Sequence, residues 1–238
     1  MKHRTLAAVA DSNDLILHAE QTSLNTSYSS VSGETQTTQK QDRWQDMTEG
    51  RTRIVAYGPD GLPREEFYSS HTSDSMTMDM LDYAARTWTT ADLPTSAGAF
   101  DGGGSQQFAQ QIEGQLANGA LVLVGPAMID GRETFHLRRP LPKFSVPAGP
   151  NGFRPPQPAE LDMWIDPTSF LPVAEETLAG NGEVLSRTDD EWLPRTPANL
   201  AEVNFVAPPG LKHETAATSS SASGADFSWQ LLVPSSHP

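Results

Sequence analysis

Residues 161–193 read LDMWIDPTSFLPVAEETLAGNGEVLSRTDDEWL, and their pattern decides the fold. Leu161, Met163 and Ile165 recur at every second position, so one face of an extended segment is apolar. Asp166 and Pro167 then turn the chain, and Pro172 restarts it in extended form. Val173 to Leu178 and Glu183 to Leu193 flank Asn181-Gly182, the clearest hairpin signal in the chain. Three consecutive strands joined by tight turns form an antiparallel meander.

The same signs recur on either side. Towards the N-terminus, extended segments are predicted at Leu15 to Leu24, Gln36 to Asp46 and Arg51 to Tyr57. Gly58-Pro59-Asp60-Gly61 is a strong turn, since proline fixes φ and glycine supplies a positive φ, and it returns the chain as Leu62 to Ser70. Met76-Thr77-Met78-Asp79-Met80 puts three methionines on one face of a strand, with Arg86 to Thr90 following the turn at Tyr83-Ala84-Ala85. Asp130-Gly131 is a second hairpin turn, before Glu133 to Arg138 with Phe135 and Leu137 on one side. Ala120 to Val124 is apolar on both faces and reads as a central or doubly covered strand. Pro140 to Pro158 is a proline-rich loop, because Pro155-Pro156 cannot lie in a paired strand. These segments amount to about eleven strands. Trp44, Trp88, Trp164 and Trp192 each fall in one and would anchor the sheet, whereas Trp229 lies in the tail.

One helix interrupts the series. Phe108, Ile112 and Leu116 recur every four positions, a narrow apolar stripe. Ser105 can cap its start, Asn118-Gly119 can close it with a left-handed residue, and Gly102-Gly103-Gly104 makes a mobile lead-in. A shorter helix is expected over Thr5 to Ser12.

Composition excludes several functions. Among 238 residues, 30 are acidic and 16 basic, a formal charge of -14 with no compensating basic stripe, so nucleic acid is not an expected partner. Cysteine is absent, which removes disulfides, thiolate metal sites, cysteine nucleophiles and lipid-bearing cysteines. No apolar run reaches the roughly 18 residues that would span a membrane as a helix. Met1 to Arg4 is basic, but Thr5 to Ala10 is too short for the apolar region of an export signal. Thr215 to Gly224 is Ser/Ala-rich and too poor in large apolar groups to repay its ordering. Residues 1–13 therefore read as an N-terminal helix or the remnant of an upstream anchor, 14–211 as the folded domain and 212–238 as a flexible Ser/Ala-rich tail.

Catalytic and metal motifs are missing. The six histidines, at 3, 18, 71, 136, 213 and 237, form no zinc-binding spacing. No nucleophile elbow occurs, and the glycines before Ser105 lack the lysine of a phosphate loop. Glu65-Glu66, Glu175-Glu176 and Asp189-Asp190-Glu191 are acidic runs, as are Asp79 and Asp82 nearby. Adjacent carboxylates on a strand point to opposite faces, so these read as solvated surface unless a partner comes from elsewhere. No enzyme activity, metal or cofactor is expected.

Met163-Trp164-Ile165-Asp166-Pro167-Thr168-Ser169-Phe170-Leu171-Pro172 is similar to the aspartate-proline signature of the LolA/LppX/RseB-like superfamily of bacterial envelope proteins. Arg51 to Glu66, Ala120 to Leu137 and Asn199 to Gly210 resemble further hairpins and the terminal segment of that group, over about Leu15 to Leu211. Phe170 departs from the pattern by standing where glycine is usual. The resemblance implies a mainly β, half-open antiparallel barrel with helices packed in its concave side. It also implies a location outside the cytoplasm, in the cell envelope, with anchoring or export supplied by a segment upstream of this chain.

A lipid cavity calls for flexible apolar residues, and methionine suits irregular acyl chains. Met76, Met78 and Met80 are candidates, with Phe108, Ile112 and Leu116 as an opposing lid, and Met163 and Ile165 beside them. Core packing would use the same residues. On this reading the chain is a binding domain, expected to be a monomer, that holds a hydrophobic small molecule or the acyl chain of a lipoprotein. The alternative is a signalling or regulatory sensor domain of a membrane-anchored protein, binding a protein partner of the anti-sigma factor or kinase type, itself a membrane protein.

Overall fold

The computed structural model describes residues 15–29, 33–72, 75–94, 104–142 and 154–215. In chain order these form β1 (Leu15–Ser29), β2 (Gly33–Asp46), β3 (Arg51–Tyr57), β4 (Pro63–His71), β5 (Ser75–Asp82) and β6 (Thr87–Pro94). Helix α1 (Gly104–Asn118) follows, then β7 (Val122–Ile129), β8 (Arg132–Pro140), β9 (Pro158–Ile165), β10 (Pro172–Ala179) and β11 (Val184–Pro194). A short helix α2 (Pro197–Glu202) and β12 (Lys212–Thr215) complete the described chain. The expected helix over Thr5 to Ser12, most of the glycine lead-in, most of the proline-rich loop and Trp229 lie outside the described residues.

All twelve strands belong to one open sheet, in the order β12-β6-β5-β4-β3-β2-β1-β11-β10-β9-β8-β7. It consists of two meanders, β1–β6 and β7–β11, with α1 between them in the chain. Pairing of β1 with β11, from Leu15 opposite Pro194 to Ser23 opposite Ser186, welds the halves together. The twelfth strand lies in the stretch assigned above to the tail: Lys212–Thr215 pairs with Thr87–Thr90 of β6, in parallel. The described sheet therefore includes residues 212–215.

The turns follow their residues. Asp130 and Gly131 both have positive φ, 49° and 78°, the geometry a two-residue hairpin needs to match strand twist. Gly119, at φ 78°, ends α1 in the left-handed conformation. Asp166 caps its own loop: its Oδ1 accepts from the backbone N–H of Thr168 (2.8 Å) and Ser169 (2.7 Å) and from Ser169 Oγ (3.1 Å). The loop needs a left-handed residue before it closes, and Phe170 supplies it at φ 59°. That requirement explains why glycine suits this position; here phenylalanine takes the strain and buries its ring instead.

Strand register tells which side chains share a face. Through unshifted pairings, Leu137, Met163, Glu175, Thr188, Gln21, Gln41, Ala56, Glu65, Asp82 and Thr87 line up across the sheet on what we term the first face. Helix α1 sits on this face over the β8–β9 end, where Ile112 packs with Leu121, Leu137, Met163, Ile165 and Phe170. Burying each of these side chains contributes roughly 1.5–3 kcal/mol, which fixes the helix to the sheet. The segment around α2 covers the opposite face. Glu202 bonds Arg53, Asn204 bonds Arg51, and Phe205 packs on Tyr68 and Trp88.

One strand differs from its sequence reading. Val122, Val124 and Met128 are 52%, 55% and 63% exposed, because β7 is the edge of the sheet rather than a doubly covered strand. Its edge position also explains Pro126, which a central strand would exclude.

Candidate functional site

The first face carries three zones. At one end lie Met76, Met78 and Met80 of β5, opposite His71, Ser69 and Phe67 of β4 and Leu93, Ala91 and Thr89 of β6. Met80 and Leu93 are 44% and 41% exposed, whereas Met76 and Met78 are half-buried and Ser69, opposite Met78, is buried. At the other end is the α1 core, which takes up Met163, Ile165 and Ile112, with Leu116 packed against it. Ile112 and Leu116 thus sit on Met163 and Ile165 rather than facing the methionine stripe. Phe108 belongs to α1, but its side chain lies outside the described residues.

A polar band separates the two zones. Arg43 of β2 and Asp190 of β11 stand directly opposite Ala19 of β1 from either side. Glu175 of β10 lies next to this pair, opposite Thr188 and Met163, and Arg139 of β8 lies beyond, opposite Leu161. Burial and the neighbouring Glu175 push the Asp190 carboxyl up to about 7, opposed in part by Arg43. Burial raises Glu175 as well, against the pull of Arg43 and Arg139. One lateral row, Asp190-Ala19-Arg43-Ile54-Phe67-Met80, runs from this band to the methionines.

The sequence does not show this band as a unit, because Glu175 and Asp190 sit in acidic runs that read as solvated surface. The signal was present: the alternation that aims Met163 and Trp192 inward aims Glu175 and Asp190 to the same side once β9, β10 and β11 are paired. The partner from elsewhere in the chain is supplied by the Asn181-Gly182 hairpin.

The second face is held together by charge and rings. Glu66 is buried and accepts from Tyr83 Oη (2.8 Å), Tyr68 Oη (3.0 Å) and Arg53 (3.4 Å), while Arg53 reaches on to Glu202. Burial, with the Glu66 hydrogen bond, pushes the Tyr83 phenol up to about 12. His18, His213 and His136 stack on Trp44, Trp88 and Trp164 at 4.2, 4.0 and 5.0 Å. Asp162, also buried, is clamped by Arg138 at 2.6 and 2.7 Å. The contacts of Arg53 with Glu202 and of Phe205 with Tyr68 and Trp88 tie the α2 segment to β3–β6. A depression of about 310 Å³ at the ends of β1, β2 and β11, lined by Thr22, Leu24, Thr38 and Val184, contains none of the candidate residues. Among the described residues no group of three or more His, Cys, Asp or Glu could hold a metal ion, and no helix is long and apolar enough to cross a membrane.

Several solved structures are similar to this chain over most of its length. They include the Mycobacterium tuberculosis lipoprotein LppX, 16% identical over 81% of this chain and 96% of that one, with a TM-score of 0.32. The Pseudomonas aeruginosa MucA/MucB complex contributes a chain 16% identical over 86% of this one, at a TM-score of 0.39; the match spans 66% of that chain's length. An uncharacterized conserved protein from Thermus thermophilus is 12% identical over 90% of this chain and 98% of its own, with a TM-score of 0.46. No family model and no curated protein sequence matches the chain. These likenesses concern the plan of the sheet, and the functional reading rests on the chain's own residues.

Proposed function

We propose that this chain is a binding domain of the cell envelope, acting outside the cytoplasm, that holds a hydrophobic ligand against the first face of its sheet. The ligand is a lipid or the acyl chain of a lipoprotein. The observation that carries the reading is the stripe of Met76, Met78 and Met80, half-buried at its first two residues and exposed at Met80, continued by the half-buried Phe67 and Ile54 on the same face. Three methionines in register make an adaptable surface, since each thioether side chain is unbranched and polarizable. Each ligand methylene that leaves water for this surface contributes about 0.8 kcal/mol. Met163 and Ile165 enter this reading as the seat of α1, which borders the binding face, rather than as ligand contacts. No step of reversible binding needs a catalytic residue.

Native mass spectrometry of the purified full chain tests the reading. A co-purifying lipid is expected, and it should be lost when Met76, Met78 and Met80 are changed together to Ser. Lipid retained by that variant, or absent from a wild-type chain that also fails to take up an added long-chain alcohol, would refute it.

A second reading has its own support. Among the described residues β7 ends the sheet, and Val122, Leu123, Val124 and Met128 are exposed. Such an edge can accept a strand from a partner protein. In that case the domain is a sensor that passes binding on to a membrane-anchored signalling partner. A Val124→Lys variant that keeps lipid but loses a protein partner would favour it.

A further inference from the structure

The apolar stripe does not account for the polar band beside it. Asp190 is only 6% exposed, and its Oδ1 has no hydrogen-bond partner among the described residues; Arg43 Nε is buried and equally alone. Leaving such atoms unmet is costly. Ala19 is the only side chain between them in the row, so nothing larger than a methyl group separates the two strands' charges. The groups acting on Asp190 are Arg43 from β2, Glu175 from β10 and Asp189 on its own strand; Arg139 from β8 acts on Glu175. The two arginines do not offset the burial of the two carboxyls, both of which are held above their usual range.

We infer that Asp190, Glu175 and Arg43 form a head-group site for an amphiphile bearing a protonated amine, whose alkyl chain follows Ile54, Phe67 and Met80 along the sheet. The inference rests on the hydrophobic-ligand reading above. An ammonium offers three donors and no acceptor, which suits the unpartnered Asp190 carboxyl with Glu175 beside it. An oxygen next to the amine would accept from Arg43 Nε. A carboxylate or phosphate head would be repelled by Asp190 and Glu175, and a plain hydroxyl donates only once. From Arg43 to Met80 is three strand spacings, about 14 Å, within reach of a long alkyl chain. Binding is coupled to a proton, because the carboxyl that meets the amine must ionise.

Dodecylamine, dodecanol and dodecanoate, each kept below its micelle concentration, serve as probes in calorimetric titrations of the full chain. At pH about 8 the amine is expected to bind at least tenfold more tightly than the alcohol, the scale of a charge-assisted hydrogen bond. That preference should fade as pH falls through about 7, where Asp190 takes up a proton. Asp190→Asn and Glu175→Gln should each bring the amine down to the alcohol while leaving the alcohol unchanged, with circular dichroism confirming that both variants fold. Equal binding of the three probes, or an amine preference that survives both substitutions, overturns the head-group site and leaves the apolar reading standing. The first of these outcomes is expected if the orphan atoms merely hold a structural water. Failure of every probe to bind overturns both.

Discussion

Replacing Phe170 with glycine or alanine separates two opposed effects at one residue. The ring is 7% exposed and packs with Ile112, Leu121, Leu137, Met163 and Ile165, so truncation to alanine should cost about 3–5 kcal/mol from lost burial and a residual cavity. Alanine keeps the strain of φ 59°, whereas glycine relieves it, a difference of roughly 1 kcal/mol at left-handed positions. Glycine should therefore be the more stable of the two truncations by about 1 kcal/mol, although both fall well below wild type. Elsewhere in a protein the order is reversed, with alanine ahead by roughly 0.5–1 kcal/mol. Urea unfolding of the three chains, followed by tryptophan fluorescence, measures both gaps. Alanine equal to or better than glycine would refute the strained-turn account, and a wild-type-like Phe170→Gly would refute the buried ring.

Other substitutions test neighbouring steps. Asp166→Ala removes the acceptor of three hydrogen bonds in the same loop and should cost about 1–3 kcal/mol in urea unfolding, while Asp166→Asn should recover part of it. Glu66→Ala strips two phenols and Arg53 of a buried partner. It should destabilise by about 2–4 kcal/mol, less than a fully buried pair because Arg53 keeps Glu202. For Asp190 the folded pKa lies above the unfolded one, so the folded state holds the proton more tightly and stability falls as pH rises from about 4 to about 7. Asp190→Asn should remove this fall, its advantage over wild type growing across that window to a few kcal/mol and staying flat above it. Pairs of urea titrations at successive pH values check the sign; an advantage that shrinks with rising pH would contradict it.

Local chemistry made much of this fold legible. Asn181-Gly182 and Asp130-Gly131 announce their hairpins because few residues accept positive φ, and the four-residue spacing of Ile112 and Leu116 gives the helix and its inward stripe. Asp166-Pro167 marks a loop whose side-chain bonds are internal to it. Helix α2 carries its own signal: Thr196 is its N-cap, accepting from the N–H of Asn199 at 3.3 Å, and Pro197 opens the first turn. What escapes a reading along the chain is pairing between distant segments. The β1–β11 weld joins residues nearly the whole domain apart, and the short parallel β12 has no turn to betray it. Exposure of β7 depends on which strand ends the sheet, which its Val-Leu-Val run does not encode. The Asp190–Glu175 pair appears only when β10 and β11 are laid side by side. The same limit applies to the methionines, whose spacing gives their common face but not whether α1 covers it.

The binding face itself can be read by covalent capture. The full chain is incubated with a long-chain alcohol carrying a photoactivatable diazirine near its terminal methyl, irradiated and mapped by peptide mass spectrometry. Adducts should concentrate on 51–57, 63–71 and 75–82, at Ile54, Phe67 and the three methionines. Adducts confined to second-face residues such as Trp44, Trp88 and Trp164, or spread evenly over the chain, would contradict a ligand seated on the methionine stripe.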